Sequence, residues 1–223
     1  MRNVYESKSM RKYVEDSALD SNPAFSSHGI RTRKHMIVSG PSGSGKTNFI
    51  ANLLSTMRDA FYEVWIYTAM VDEPVYKMLE ASSPNIHVKP IGEVEPYTAL
   101  KNKTDNKLIV FDDFITAGKG VMKILETYAI LSRKIGCSCV YLTQNWFSVP
   151  VAIRNQASYI VLLKNANQRN LRLIAGQIGT SLSVSEMSNI IQDATKEKFS
   201  VCIIDTLNAD RMFRKNFTEY YDV

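Results

Sequence analysis

The sequence contains few of the residues that form disulfides and metal sites. Its 223 residues include three cysteines and three histidines. An odd number of cysteines does not complete a disulfide framework. Cys137 and Cys139 stand two residues apart, but no second pair of ligands accompanies them, as a structural zinc site would require. We therefore expect Cys137 and Cys139 to pack as small hydrophobic residues.

Long apolar runs are absent from the sequence as well. No stretch of about 18 apolar residues, the length that suits a membrane-spanning helix, occurs in it. The N-terminus is polar and charged and lacks the apolar core of a secretory signal peptide. The sequence thus predicts no membrane segment and favours a soluble, intracellular protein.

What the chain does contain suits one α/β domain. Hydrophobic residues make up 45% of it, enough to bury a sizeable core. Its 27 lysines and arginines exceed its 22 acidic residues, which gives a formal net charge of +5. A mildly basic protein is compatible with a nucleic-acid partner, although charge alone does not single one out.

Short apolar runs alternate with helical patterns from residue 35 onward, which favours βαβ units and a mostly parallel sheet. The predicted strands cover residues 35–39, 63–67, 86–89, 108–111, 138–143, 159–163 and 199–205. The predicted helices cover residues 46–58, 74–80, 120–133, 168–175 and 184–193. Residues 1–32 are rich in serine and charge, so we interpret them as a basic, partly flexible arm, with DNA or subunit contact as a sharper alternative. Residues 33–223 form one predicted α/β domain.

A glycine-rich segment between the first predicted strand and the first helix carries the clearest chemical signal. It matches G-x-x-x-x-G-K-[ST] and, with the next helical residue, consists of Gly40, Pro41, Ser42, Gly43, Ser44, Gly45, Lys46, Thr47 and Asn48. In such a P-loop, backbone N–H groups and the helix N-terminus converge on phosphate. Lys46 would reach the β- and γ-phosphates, and the Thr47 hydroxyl would bind Mg²⁺. The segment predicts binding of ATP with Mg²⁺; a glycine-rich turn without a ligand is the alternative.

Two carboxylates follow the apolar strand 108–111. Ligands gather at the carboxyl ends of parallel strands, so we expect Asp112 and Asp113 to lie beside the P-loop. We assign Asp112 to the Mg²⁺ site and Asp113 to the water that attacks the γ-phosphate. The alternative is a pair of solvated acids in a loop.

A second strand end supplies Gln144, which we expect to contact the γ-phosphate or the attacking water. Two arginines flank this strand in the sequence, Arg133 before it and Arg154 after it. A planar guanidinium matches phosphate oxygens, so either is a candidate arginine finger that reaches the nucleotide of a neighbouring subunit. Each could instead be a charge at a helix end or a DNA contact.

Together these motifs resemble those of the genome-packaging ATPases of large double-stranded DNA viruses and virophages, within the FtsK–HerA group of DNA-pumping ATPases. The resemblance rests on residues 36–47, on residues 108–113 and, most specifically, on residues 132–155. The last block contains Thr143-Gln144, Val149-Pro150 and Ile153-Arg154. The resemblance covers residues 33–163.

This resemblance implies an α/β fold of the RecA-like (additional-strand) P-loop NTPase class, with a central, mostly parallel sheet flanked by helices. It implies an ATPase that forms a homo-oligomeric ring of five or six subunits and drives double-stranded viral DNA into a capsid. Arg133 would then act in trans, and Gln144 would sense the nucleotide. The implied partner is a capsid or portal-like viral protein, and the implied location is the cytoplasm or viral factory of an infected host, or the virion.

Other functions share parts of this pattern. Another DNA translocase or helicase is the nearest alternative, because it shares the ring, the arginine finger and the polyanionic partner. A nucleotide kinase is a further one, but it would carry an arginine-rich lid and an acceptor site. Stimulation of ATP hydrolysis by duplex DNA separates the DNA motors from a kinase, and strand separation distinguishes a helicase from a pump.

Overall fold

The structure is a computed structural model that describes residues 22–100, 105–164 and 168–222. Nine strands in these residues form one sheet. The strands are β1 (His35–Ser39), β2 (Glu63–Thr68), β3 (Ile86–Pro90), β4 (Lys107–Phe111), β5 (Cys137–Thr143), β6 (Ala157–Leu162), β7 (Cys202–Asp205), β8 (Phe213–Lys215) and β9 (Glu219–Tyr220). Their order across the sheet is β3-β2-β4-β5-β1-β6-β7-β8-β9.

The first six strands are parallel to one another, and β7, β8 and β9 pair antiparallel at one side of the sheet. Strand β5 lies between β1, which precedes the P-loop, and β4, which precedes the two carboxylates. The α-helices among the described residues are α1 (Phe25–His28), α2 (Lys46–Thr56), α3 (Pro74–Ser82), α4 (Gly118–Leu131), α5 (Val151–Arg154), α6 (Gln168–Ile178) and α7 (Val184–Ala194).

Alternate residues of each strand point to opposite sides of the sheet. Helices cover both of these faces. Leu108 and Val110 of β4 pack in a cluster with α2 and α3, whereas Ile109 and Phe111 pack in a second cluster with α4, α6 and α7. The strands are apolar on both faces, as a parallel sheet covered on two sides requires. The predicted α/β fold, a mostly parallel sheet flanked by helices, is confirmed.

The cysteines lie inside this core. All three are free and buried, and burial raises the pKa of the Cys137 thiol to about 12. Within the described residues, no group of three or more histidine, cysteine, aspartate or glutamate side chains is placed to hold a metal ion. The prediction that Cys137 and Cys139 pack as small hydrophobic residues is confirmed.

The end of the chain differs from the sequence-based prediction. The strand predicted at residues 199–205 begins only at Cys202, because Phe199 has a left-handed backbone with φ of 67° that cannot continue a strand. The hairpin of β8 and β9 was not predicted. These strands have three and two residues, which is too short for an alternating pattern to stand out.

Only the last part of the predicted arm belongs to the described residues. Residues 1–21 lie outside them. Of the remainder, His28, Ile30 and Thr32 are buried, and the Ile30 N–H donates to Nδ1 of His28 at 3.0 Å. The Arg31 N–H also donates to the Tyr159 hydroxyl of β6 at 2.9 Å. Residues 28–32 therefore pack against the sheet, and the boundary at residue 32 stays a prediction.

Candidate functional site

The P-loop connects the carboxyl end of β1 to the first turn of α2, as its sequence predicts. Gly43 and Gly45 have φ angles of 71° and 103°, a region that side chains disfavour. Position 40 requires glycine because the space around it is filled. A Cβ there would lie 2.6 Å from Ser44 Oγ and 2.8 Å from Leu163 Cβ. The loop thus needs glycine at its turning points and where it packs against Leu163, the residue that follows β6.

Lys46 folds back over the loop from the start of α2. Its Nζ atom donates to the carbonyl oxygens of Gly40 and Pro41, each at 3.0 Å. The side chain is buried, and burial lowers its pKa, whereas the carboxylates of Asp112 and Asp113 raise it. The cation is therefore held at the loop by groups that phosphate oxygens can replace.

Asp112 is a buried carboxylate directly after β4. Its N–H donates to the Tyr67 carbonyl of β2 at 2.8 Å, which fixes the backbone beyond the strand. Burial raises the pKa of Asp112, while a hydrogen bond from Tyr76 and the charge of Lys46 oppose that rise. A carboxylate near Lys46, away from bulk water, has the chemistry of a metal ligand.

Tyr76 of α3 joins the two residues assigned to the metal. Its hydroxyl, in a side chain with no exposed surface, donates to Asp112 Oδ2 at 2.7 Å. Burial raises the pKa of Tyr76, and the nearby Thr47 side chain opposes that rise. The Thr47 hydroxyl and the Asp112 carboxylate therefore both lie close to Tyr76, and both are hard oxygen ligands of the kind that Mg²⁺ prefers. The residues present fit a magnesium site.

Sequence reasoning missed Tyr76. It lies on a different helix, 36 residues before Asp112, and nothing in its local pattern separates it from an ordinary core tyrosine. Its role depends on how α3 packs against β2 and β4, which only the folded structure reveals.

Asp113 and Gln144 line a groove at the same edge of the sheet. The groove has a volume of about 550 Å³, and Met70, Ile115 and Thr143 contribute to its walls. Asp113 has a left-handed backbone with φ of 49°. Gln144 is exposed directly after β5. The structure thus brings both residues to one solvent-accessible space beside the P-loop strand.

The two arginines lie elsewhere. Arg133 belongs to a 3₁₀ turn (Ser132–Ile135) before β5, and the length of that strand separates it from Gln144 by roughly 20 Å. Its guanidinium donates to Gln156 Oε1 at 3.1 Å. Arg154 ends α5 and donates to the Val149 carbonyl at 3.1 Å. These contacts do not bring either arginine to the P-loop of its own chain.

Two aromatic residues follow Gln144 in the sequence, and the structure separates their environments. Trp146 is completely buried in the core. Phe147 is partly exposed, and the Arg169 guanidinium lies 4.6 Å from its ring centroid. Only Phe147 presents a ring surface that another molecule can reach.

Several solved structures share this fold. The genome packaging NTPase B204 from Sulfolobus turreted icosahedral virus 2, in complex with AMPPCP, matches 83% of this chain and 97% of its own, with 14% identity and a TM-score of 0.59. The B204 DNA-packaging ATPase from Sulfolobus turreted icosahedral virus matches 85% of this chain and 99% of its own, at 13% identity and a TM-score of 0.57. The cytoplasmic domain of the type VII secretion ATPase EccC from Thermomonospora curvata matches 85% of this chain but 26% of its own, at 11% identity and a TM-score of 0.59.

These likenesses concern the fold, because the identities are low, and they confirm a RecA-like P-loop ATPase architecture. No curated protein matches the sequence. Within the described residues, none of the helices combines the length and apolar character needed to cross a bilayer.

The comparison with protein families identifies a family, whereas the solved structures show only a shared fold. The poxvirus A32 protein family matches residues 24–217, a span that includes the P-loop, both carboxylates, Gln144 and both arginines. This confirms the resemblance to viral packaging ATPases. The chain belongs to the poxvirus A32 protein family of viral packaging ATPases.

Proposed function

We propose that this protein is a motor that hydrolyses ATP with Mg²⁺ and moves double-stranded viral DNA into a capsid. The observation that carries the proposal is the meeting of Lys46, Thr47 and Asp112 beside the groove that contains Asp113 and Gln144. B204, which shares the fold, is named a genome packaging NTPase and has structures with AMPPCP and ATP-gammaS.

In this proposal each residue of the site has a distinct task. Backbone N–H groups of the P-loop bind the phosphates, and Lys46 exchanges the Gly40 and Pro41 carbonyls for phosphate oxygens. Thr47 and Asp112 would hold Mg²⁺, which neutralises charge on the β- and γ-phosphates when bound. Asp113 orients the attacking water and accepts its proton, and Gln144 responds to the presence of the γ-phosphate.

The partners follow from the same proposal. Subunits form a homo-oligomeric ring of five or six, in which Arg133 or Arg154 reaches the nucleotide of a neighbour. Lysines and arginines contact the phosphates of the DNA backbone, so DNA binding is salt-sensitive and largely independent of the DNA sequence. A capsid or portal-like viral protein receives the DNA, and the work takes place in the cytoplasm or viral factory of the infected host.

ATP hydrolysis with and without linear double-stranded DNA tests the proposal. We expect duplex DNA to stimulate turnover several-fold and the stimulation to fall as salt rises, because the DNA contacts are mainly electrostatic. Single-stranded DNA of the same length serves as the polyanion control. Turnover that ignores duplex DNA at low salt would favour a nucleotide kinase, and separation of the strands would indicate a helicase.

A separate prediction concerns Tyr76. Tyr76→Phe should raise the Mg²⁺ concentration needed for half-maximal turnover by about 10-fold, because a lost hydrogen bond to a metal ligand weakens metal binding. Tyr128→Phe is a matched control, since Tyr128 is also buried but donates its hydroxyl to the Glu95 carbonyl on the opposite face of the sheet. The measurements are a Mg²⁺ titration of turnover and of ATP-analogue affinity. Equal Mg²⁺ dependence in both variants would assign Tyr76 a purely structural role.

A further inference from the structure

A second groove begins where the P-loop ends. We call it the aromatic groove; it has a volume of about 330 Å³ and is lined by Asn48, Phe49, Asn52, Glu197, Lys198, Phe199, Ser200, Val201, Asn216 and Phe217. Asn48 immediately follows Thr47 in the first turn of α2. The groove therefore begins at the residue that follows the proposed phosphate site, yet none of the catalytic assignments uses its aromatic residues.

Phe199 occupies this groove at a cost to the fold. Its φ angle is 67°, a left-handed conformation that is a genuine outlier for a bulky residue. Its side chain is 49% exposed, so burial of the ring offers little in return. The turn around it is fixed by a hydrogen bond from the Ser200 N–H to the Glu197 carbonyl at 3.3 Å. Packing within this chain therefore covers only part of the aromatic residue at this position.

The ring of Phe199 lies against the P-loop itself. A Cβ at Gly45 would be 2.7 Å from Cδ1 of Phe199 and 3.4 Å from Cε1. The ring thus contacts the loop through one edge, one residue before Lys46. The Lys198 ammonium lies 4.9 Å from the ring centroid on a flexible, exposed side chain, and it can move aside for a ligand.

The rest of the groove suits a flat, polar-edged molecule. Phe49 and Phe217 stack in its wall, with ring centroids 5.6 Å apart and planes inclined by 16°. The amide side chains of Asn48, Asn52 and Asn216 line it as well. Aromatic faces stack on nucleobases, and amide groups pair with the donors and acceptors at a base edge. A phosphate site that opens into such a groove has the composition of a nucleotide site.

We propose that the aromatic groove holds the base of the nucleoside triphosphate and that Phe199 stacks on it. The inference rests on the proposed function, because the triphosphate on the P-loop tethers the base within reach of Asn48 and Phe199. The contact of the Phe199 ring edge with Gly45 places the stacking ring next to the loop that binds phosphate. The strained backbone of Phe199 is the cost of placing that ring beside the loop.

Calorimetric titration with two ligands tests the base site. The ligands are the ATP analogue AMPPCP and inorganic tripolyphosphate, each with Mg²⁺, because they share phosphates but only one has a base. Phe199→Gly should weaken AMPPCP binding by about 10-fold or more, since stacking is lost, and leave tripolyphosphate affinity within twofold. Its melting temperature should not fall, because glycine relieves the left-handed strain. Phe199→Tyr, which keeps the ring, should bind AMPPCP like the unaltered protein.

Phe25→Ala is the matched control, because Phe25 is 40% exposed and also lies near a cation, with the Arg31 guanidinium 6.0 Å from its ring. It should change neither affinity. Unchanged AMPPCP affinity in Phe199→Gly would overturn the base site, and so would an equal loss for both ligands, which would mean that Phe199 only shapes the P-loop. If the unaltered protein binds neither ligand, the proposed function itself fails.

Discussion

Alanine at position 46 should reduce ATP turnover by about 10²- to 10³-fold, the range seen when one preorganised donor to a developing charge is removed. Lys46 Nζ already lies 3.0 Å from two P-loop carbonyl oxygens. It should therefore reach bound phosphates with little reorganisation. Without it, the P-loop would keep its N–H groups but lose the cation that we propose for the phosphates. The measurement is steady-state hydrolysis with saturating duplex DNA.

The control for Lys46→Ala is Lys89→Ala. Lys89 lies on β3 at the far side of the sheet, where it is 3.7 Å from Glu95 and stacks over Trp65. Its replacement should leave turnover within about twofold, as is usual for a surface ion pair. Both variants should keep the melting transition of the parent protein. Turnover by Lys46→Ala equal to that of Lys89→Ala would contradict the assignment of the P-loop lysine.

Loss of the arginine finger should have a still larger effect. Arg133→Ala should lower turnover of the assembled, DNA-bound protein by about 10³-fold or more, because a finger stabilises charge in the transition state. Affinity for AMPPCP in the isolated subunit should hardly change, since Arg133 lies at the opposite end of β5 from its own P-loop. Arg154→Ala is the alternative variant, and the finger is the arginine whose loss separates turnover from nucleotide affinity.

Mixing experiments establish whether the finger acts in trans. Subunits with Lys46→Ala and subunits with Arg133→Ala should each have little turnover alone. In the proposed ring, a mixture of the two would contain interfaces where an intact Lys46 faces an intact Arg133. We expect such mixtures to regain a measurable part of the turnover. Lys134→Ala is the control, because Lys134 is the exposed basic neighbour of Arg133 and should leave turnover nearly unchanged. Mixtures that stay inactive would remove the support for action in trans.

The P-loop and the two carboxylates could be predicted because their positions follow from topology. A buried strand, a glycine-rich loop and a helix leave one place for a phosphate, and parallel strands bring Asp112 and Gln144 to the same edge. Continuous apolar strands also predict a sheet that is covered on both faces. These inferences need no knowledge of how particular side chains pack.

Tyr76 and Phe199 could not be predicted in this way. The hydroxyl of Tyr76 reaches Asp112 only because α3 packs on the same face of the sheet as α2. The sequence predicts Phe199 as the first residue of a strand, but its left-handed backbone places it in a turn before that strand. Both contacts join segments that are distant in sequence, and neither segment has a local pattern that specifies the other.

The contacts of Arg214 fasten the segment ahead of β1 to the antiparallel side of the sheet. This buried arginine of β8 donates to the His28 carbonyl at 2.6 Å and to the Tyr220 hydroxyl at 3.0 Å, and it lies 3.8 Å from Asp205 of β7. Residues 28–31 are therefore tied both to the antiparallel strands and to β6, whose Tyr159 hydroxyl accepts from the Arg31 N–H. Strand β6 lies between the antiparallel strands and β1 with its P-loop. Residues 28–31 are thus fastened on the side of β1 that lies away from β4 and its two carboxylates.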